Sequence, residues 1–167
     1  NWMNGTYIRK LTPARLGDIL LEYWRNVPPQ EIPELPDSAH LAAIVPLFQD
    51  RVKTLGEVAP LIPFFFVDEV EYEASELVQK GMDAGRTKAM LEVAAARLAE
   101  LSSFDTGSIE GLLRPLSQDL DVKVGQLLGT LRVATTGLRV SPPLFEMLEA
   151  LGRERTLESV RRAVAKL

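Results

Sequence analysis

Five polar side chains able to bind an anion or a nucleobase fall within ten residues near the end of the chain: Arg132, Thr135, Thr136, Arg139 and Ser141. A guanidinium group hydrogen-bonds phosphates and base edges and stacks on base planes. Ser141 followed by Pro142 resembles the start of a helix, where free N–H groups favour anions. Pro143 stiffens the loop further, and Pro142 and Leu144 offer an apolar surface to an unstacked base. These residues suit single-stranded loop RNA better than duplex DNA, and the alternative is a surface connector with solvated arginines.

Groups typical of catalysis and of metal binding are scarce in this sequence. There is no cysteine, which excludes disulfides and thiolate metal sites. His40 is the single histidine, which leaves no Ser-His-Asp triad and no pair of histidines for a metal. No Walker A sequence and no dinucleotide fingerprint is present. We therefore predict no catalytic residue, no metal site and no cofactor within this chain, and a structural or surface role for His40.

Two further clusters have competing interpretations. The carboxylates within residues 68–73 would need burial or a partner to shift a pKa for acid–base work, and their polar surroundings favour a solvated linker. The phenylalanines at 64–66 could stack on bases, but three consecutive aromatic residues before a polar hinge favour burial in a core.

The charge distribution supports local contact with a polyanion. The 167 residues carry a net charge of −4, whereas residues 121–167 hold 8 basic and 5 acidic side chains. A locally basic C-terminal region in an otherwise acidic chain favours binding of a polyanion at that region. No apolar run approaches the roughly 20 residues of a membrane span, so we expect a cytoplasmic protein without a membrane partner. The start at Asn1 indicates a piece of a longer polypeptide.

The first half of the chain shows sequence patterns that are typical of helix starts and helix ends. Thr12 followed by Pro13 predicts a helix to about Arg25, and the four prolines within 27–36 predict an extended connector. Asp37 or Ser38 should cap the next helix, which Pro46 kinks or closes and Arg51 ends. Thr54 should cap another short helix.

The second half also shows helical periodicity throughout. Helices are predicted over about 73–82, 86–101 and 123–134. Another helix should start after a cap at Asp105 or Thr106. Ser141 and Pro142 should start a helix that passes Leu148 and ends at Gly152, and Thr156 should cap the last one. No convincing strand is found. We predict an all-α fold, a cage or bundle of short helices in two subdomains, 1–69 and 70–167.

Two stretches resemble a known family. "NWMNGTYIRKL" at residues 1–11 and "VKVGQLLGTLRVATTGLRVSPPLFEMLEALGRERTLESVRRA" at 122–163 resemble segments of bacterial glutamyl-tRNA synthetases of class I, in matching order and spacing. The resemblance implies an all-helical anticodon-binding region whose partners are the anticodon loop of glutamate tRNA and a catalytic domain in cis. The parent would ligate glutamate to this tRNA with ATP and Mg²⁺, although the HIGH-type and KMSKS-type motifs of that chemistry are absent here.

The same resemblance assigns the anticodon contacts. Arg51 matches an arginine at the third anticodon base that helps to separate glutamate from glutamine tRNAs. The other matched positions contact the anticodon in the family: Arg114, Arg132, Ser141, Pro142 and Leu144. Two rival interpretations remain, a helical protein-interaction module that binds no RNA and the helical anticodon domain of another class I synthetase.

Overall fold

The computed structural model describes residues 2–32 and 34–167, with side chains from Gly5 onward. The chain divides into two compact units, Asn1–Asp68 and Glu69–Leu167, called unit 1 and unit 2 below. Every regular element among the described residues is helical, so the all-α prediction is confirmed. Within these residues no helix combines the length and apolarity needed to cross a membrane.

Unit 1 forms because local caps start two amphipathic helices that pack on each other. Its α-helices are α1 (Trp2–Lys10), α2 (Pro13–Asn26) and α3 (Ser38–Ile44). The Thr12 hydroxyl accepts the N–H of Arg15 at 3.3 Å, and the Asp37 carboxylate accepts that of His40 at 2.7 Å. Both predicted caps are thus confirmed, and the helix packing of α2 on α3 buries Leu20 and Leu41.

Short 3₁₀ helices complete unit 1, because prolines prevent longer helices there. They span Val45–Leu47, Leu55–Glu57, Ala59–Leu61 and Pro63–Phe65. Pro46 closes α3 early, as predicted, so α3 ends at Ile44 and the prediction that Arg51 ends this helix is wrong. Arg51 lies in the turn that follows, where its N–H donates to the carbonyl of Phe48 at 2.9 Å.

Two of the side chains weighed as chemical candidates in unit 1 lie in its core. Phe64 and Phe65 are buried, which confirms the core interpretation for both. His40 is exposed and meets the ring of Phe66 edge-on, with 5.4 Å between ring centroids.

Unit 2 is a bundle in which six helices bury one apolar core. They are α4 (Ala74–Leu77), α5 (Ala84–Ala99), α6 (Thr106–Asp119), α7 (Val124–Thr136), α8 (Leu144–Leu151) and α9 (Arg153–Lys166). Helix α5 packs on α9, α6 on α8, and α7 on α4, α6 and α9. The Asp105 cap of α6 is confirmed, since its carboxylate accepts the N–H of Ser108 at 2.8 Å. The end of α8 at Gly152 is also confirmed.

Three predicted boundaries in unit 2 are wrong. The helix expected over 73–82 stops at Leu77, because Val78 is extended and Gly81 has a φ of 84°. Helix α9 begins at Arg153, so Thr156 lies inside it instead of capping it. Helix α8 begins at Leu144 and not at the predicted Ser141–Pro142, since a residue that precedes proline disfavours the helical conformation.

Candidate functional site

The predicted RNA seat lies at the carboxyl end of α7. The helix ends at Gly137, which has a φ of 69° and whose N–H donates to the carbonyl of Val133 at 2.8 Å. The Thr136 hydroxyl donates to the carbonyl of Arg132 at 2.7 Å and accepts the N–H of Leu138 at 3.0 Å. Residues 137–143, called the connector below, therefore leave the helix with their first polar groups already paired.

Gly137 allows the connector to approach another backbone. A Cβ at this position would lie 2.8 Å from the carbonyl oxygen of Glu71 and 3.4 Å from the Cβ of Val70. Real Cβ atoms do not approach an oxygen so closely. The connector therefore packs directly against the segment just before α4, and position 137 has room only for glycine.

Arg132 holds the far end of the connector. Its Nη1 donates to the carbonyl of Pro142 at 2.9 Å, to the carbonyl of Ser141 at 3.4 Å and to the Ser141 hydroxyl. Ser141 is buried, with 4% of its surface exposed. The structure thus brings together Arg132, Ser141 and Pro142, three of the predicted site residues. The Ser141 hydroxyl is occupied by this contact and caps no helix.

The side chains at the start of α8 differ in burial. Leu144 is only 4% exposed and belongs to the core, and Pro142 is buried as well. Phe145, which sequence reasoning missed, is half-buried, and the guanidinium carbon of Arg114 lies 5.4 Å from its ring centroid. A ring beside a cation is a suitable surface for stacking a base.

Arg114 is held in place from its own helix. Its Nε lies 2.6 Å from Oε1 of Glu110, one turn earlier on α6, and about half of the Arg114 side chain is exposed. The four-residue spacing of Glu110 and Arg114 is a signal in the sequence that could have predicted this pair. Phe145 had a weaker signal, its place directly after the matched Leu144.

The tip of the connector is its most exposed part. Val140 is 76% exposed and is a large apolar residue in contact with solvent. The Arg139 side chain is 74% exposed, and its Nε lies 3.8 Å from Oε1 of Glu76. The Glu76 carboxylate also accepts the N–H of Glu73 at 3.0 Å, so this partner is fixed to the start of α4.

Arg51, the remaining predicted residue, belongs to unit 1. It is exposed in the turn between Phe48 and Val52, and its neighbour Val52 is buried. The buried valine anchors this turn, so the backbone beneath Arg51 is well defined. Among the described residues, no group of three His, Asp or Glu side chains could hold a metal ion.

The chain is similar to known proteins both in sequence and in fold. A family model described as "Anticodon binding domain" matches residues 15–164. The glutamate–tRNA ligase of Roseiflexus castenholzii is 43% identical over 166 residues, which are 99% of this chain and 33% of that protein. The glutamate–tRNA ligase of Dehalococcoides mccartyi strain 195 is 38% identical over 178 residues, with 100% and 34% covered.

A solved structure shares the fold. The glutamate tRNA ligase from Elizabethkingia meningosepticum, crystallised with its amino acid, superposes with a TM-score of 0.79 at 17% identity. The match covers 99% of this chain and 32% of that one. The chain thus spans about a third of the length of the relatives that it matches.

Proposed function

Because this chain belongs to the anticodon-binding domain family, we propose that it binds the anticodon loop of a tRNA, and that this tRNA is the glutamate acceptor. The named relatives, which are glutamate–tRNA ligases, support the choice of tRNA. The observation that carries the proposal is the connector, where Arg132 fixes Ser141 and Pro142 beside an arginine and an aromatic ring.

The connector suits a loop whose bases are turned outward. Single-stranded RNA is recognised by stacking on aromatic rings and guanidinium planes and by hydrogen bonds to base edges. Arg114 and Phe145 supply the stacking surface, and Val140 adds exposed apolar area at the tip. Arg132 acts in two ways in this proposal, since it shapes the connector and places a cation beneath the bound loop.

The matched residues do not contribute equally. Pro142 and Leu144 are buried, so their part is to shape the backbone below a base more than to offer surface of their own. Ser141 is similarly enclosed by Arg132. Arg51 is exposed, which is compatible with a side chain that reads the edge of the third anticodon base.

Binding of the anticodon would serve a larger ligase. In this proposal a catalytic domain in cis couples glutamate to the tRNA with ATP, and any Mg²⁺ would accompany that ATP. The described residues offer no triple of carboxylate or histidine ligands, and the sequence has no phosphate-binding glycine loop. We assign the ATP chemistry to the catalytic domain and recognition of the tRNA to this chain, acting in the cytoplasm where translation takes place.

A titration of RNA stem-loops tests the proposal. Fluorescently labelled stem-loops that carry the glutamate anticodon are titrated with the 167-residue chain at fixed salt, alongside a stem-loop with the same stem and a scrambled loop. We expect tighter binding of the glutamate loop and an affinity that falls as salt rises. Equal affinity for both loops would contradict specific recognition, and no RNA affinity at any salt would favour the protein-interaction alternative.

A further inference from the structure

We propose that the phosphodiester backbone of the bound tRNA continues from the connector over the segment that carries α4 and covers one side of α7, into a basic groove at the opposite end of α7. The cations concerned are Lys80, Arg86, Lys123 and Arg139, called the flanking strip below. This inference rests on the proposed function and adds a contact with RNA outside the anticodon bases.

The groove at the start of α7 gathers cations from separate parts of unit 2. Lys80 follows α4, Arg86 lies in the first turn of α5, and Lys123 directly precedes α7. Together they line an open groove of about 1020 Å³. Its other polar residues are glutamines, apart from Asp121, the single carboxylate in the lining.

Two of the three cations are available to a ligand. Arg86 already donates to the backbone carbonyl of Asp121, whose carboxylate lies 3.8 Å from its guanidinium group. No carboxylate of the described residues forms an ion pair with Lys80 or Lys123. Both lysines are exposed. The groove therefore combines an anchored arginine with two uncompensated ammonium groups, which favours a ligand with several negative charges.

The groove and the connector lie on the same side of α7, joined by the segment that carries α4. At the connector end, Glu76 pairs with Arg139. In the middle, a Cβ at Gly129 would lie 3.0 Å from the side-chain oxygen of Gln79. At the groove end, the Gln126 amide donates to the carbonyl of Lys80 at 2.9 Å.

The length of this side matches a short run of nucleotides. Helix α7 has 13 residues, which makes it about 20 Å long. At the rise of about 3.4 Å per nucleotide that one strand has in duplex DNA, roughly six nucleotides span a helix of this length. A strand whose bases occupy the connector is thus long enough to place its phosphates at the groove.

The chemistry of the strip suits phosphates and not bases. Lysine ammonium groups are strongly hydrated point charges that attract phosphate without reading sequence. The groove residues include no aromatic ring on which a base could stack. We therefore assign the flanking strip to affinity and orientation, whereas the connector and Arg51 are assigned to specificity.

The salt dependence of binding tests the strip. In the full 167-residue chain, Lys80→Gln and Lys123→Gln are combined, and the affinity for the glutamate anticodon stem-loop is measured at several salt concentrations. Loss of two phosphate contacts should lower the slope of log K against log salt by about 1.4–1.8. The preference for the glutamate loop over the scrambled loop should not change.

A matched control separates the strip from general charge. Lys88→Gln and Arg97→Gln remove the same charge from α5, outside the groove lining, and should leave the slope nearly unchanged. An unchanged slope in the strip variant, or an equal change in the control, would overturn the strip while specific binding by the wild type still supports the proposed function. Failure of the wild type to bind any stem-loop would remove both.

Discussion

Replacing Gly137 with alanine tests whether the connector must rest against the segment before α4. The new Cβ would lie 2.8 Å from the carbonyl oxygen of Glu71, whereas ordinary contacts begin at about 3.4 Å. The two backbones would therefore have to separate by about 0.6 Å. The substitution also places an alanine in a left-handed conformation, with a φ of 69°, which costs about 1–2 kcal/mol.

The expected result has two parts. Unfolding free energy should fall by about 2 kcal/mol, mostly from backbone strain. Affinity for the glutamate anticodon stem-loop should fall about three- to tenfold, since the displaced connector loses the equivalent of about one net hydrogen bond. Urea unfolding followed by circular dichroism measures the first quantity, and fluorescence anisotropy at low temperature measures the second.

Gly152 supplies a matched control in the same unit. It also ends a helix with a positive φ, of 83°, and its ψ of 161° belongs to a region that is essentially reserved for glycine. Nothing lies within 4 Å of a Cβ built there, so Gly152→Ala should cost about 1–3 kcal/mol in strain and displace no neighbour. Its RNA affinity should equal that of the wild type. If Gly137→Ala and Gly152→Ala bind RNA equally well, the argument from the close approach at Gly137 is wrong.

Further predictions concern single side chains. Arg132→Lys should weaken stem-loop binding about tenfold in the same anisotropy assay, because an ammonium group cannot replace the fork that holds Ser141 and Pro142; wild-type affinity would contradict this. Arg51→Gln in a full-length ligase should narrow the kcat/KM preference for glutamate over glutamine tRNA by roughly 1–3 kcal/mol, and an unchanged ratio would refute the assignment. Thr156→Val should raise unfolding free energy by about 1 kcal/mol, since the buried hydroxyl has no partner among the described residues; lower stability in urea would show otherwise. Hydrogen bonds from the Ser103 hydroxyl and the Ser108 N–H lower the pKa of Asp105 below its ordinary value of 3.8, so its stabilising effect is present above that pH and is lost as the pH falls through the lowered pKa. Asp105→Asn keeps a capping oxygen, so its urea midpoint should depend less on pH between about pH 6 and pH 2 than that of the wild type. An equally steep fall of the midpoint with decreasing pH would contradict the stabilising role of the ionised Asp105.

Local signals in the sequence predicted three helix caps whose partners lie only a few positions away. The caps at Thr12, Asp37 and Asp105 each bond an N–H three residues ahead, so the residue type and the following apolar pattern predict them. The end of α3 follows from Pro46 for the same reason. The helical fold class rests on many such short-range signals, which explains why it was predictable.

Signals failed where a distant residue decides. Ser141 has the chemistry of a cap, but Arg132, nine residues earlier, occupies its hydroxyl and the following prolines delay the helix. Likewise, the partner of Arg139 is Glu76, 63 residues away in the chain, and no local pattern indicates that pairing. Residue chemistry suggested Arg132, Ser141, Pro142 and Leu144, and resemblance added Arg51 and Arg114. Their burial, which separates Leu144 from Phe145, depends on the packing of α8.

If the connector binds RNA as proposed, its order in the folded unit explains how an acidic chain can present a specific RNA site. Fixing the backbone of a flexible residue costs about 1–2 kcal/mol. If the seven-residue connector were flexible, the cost of ordering it on binding would offset most of the favourable binding free energy. Here Thr136 fixes the first residues, Gly137 seats them against Glu71, and Arg132 holds the last ones. The ordering is therefore a property of the folded unit and is paid for by its core. The proposed site would then need few cations, because each one would meet the RNA from a position that is already set, and the net charge of −4 would be no obstacle to recognition.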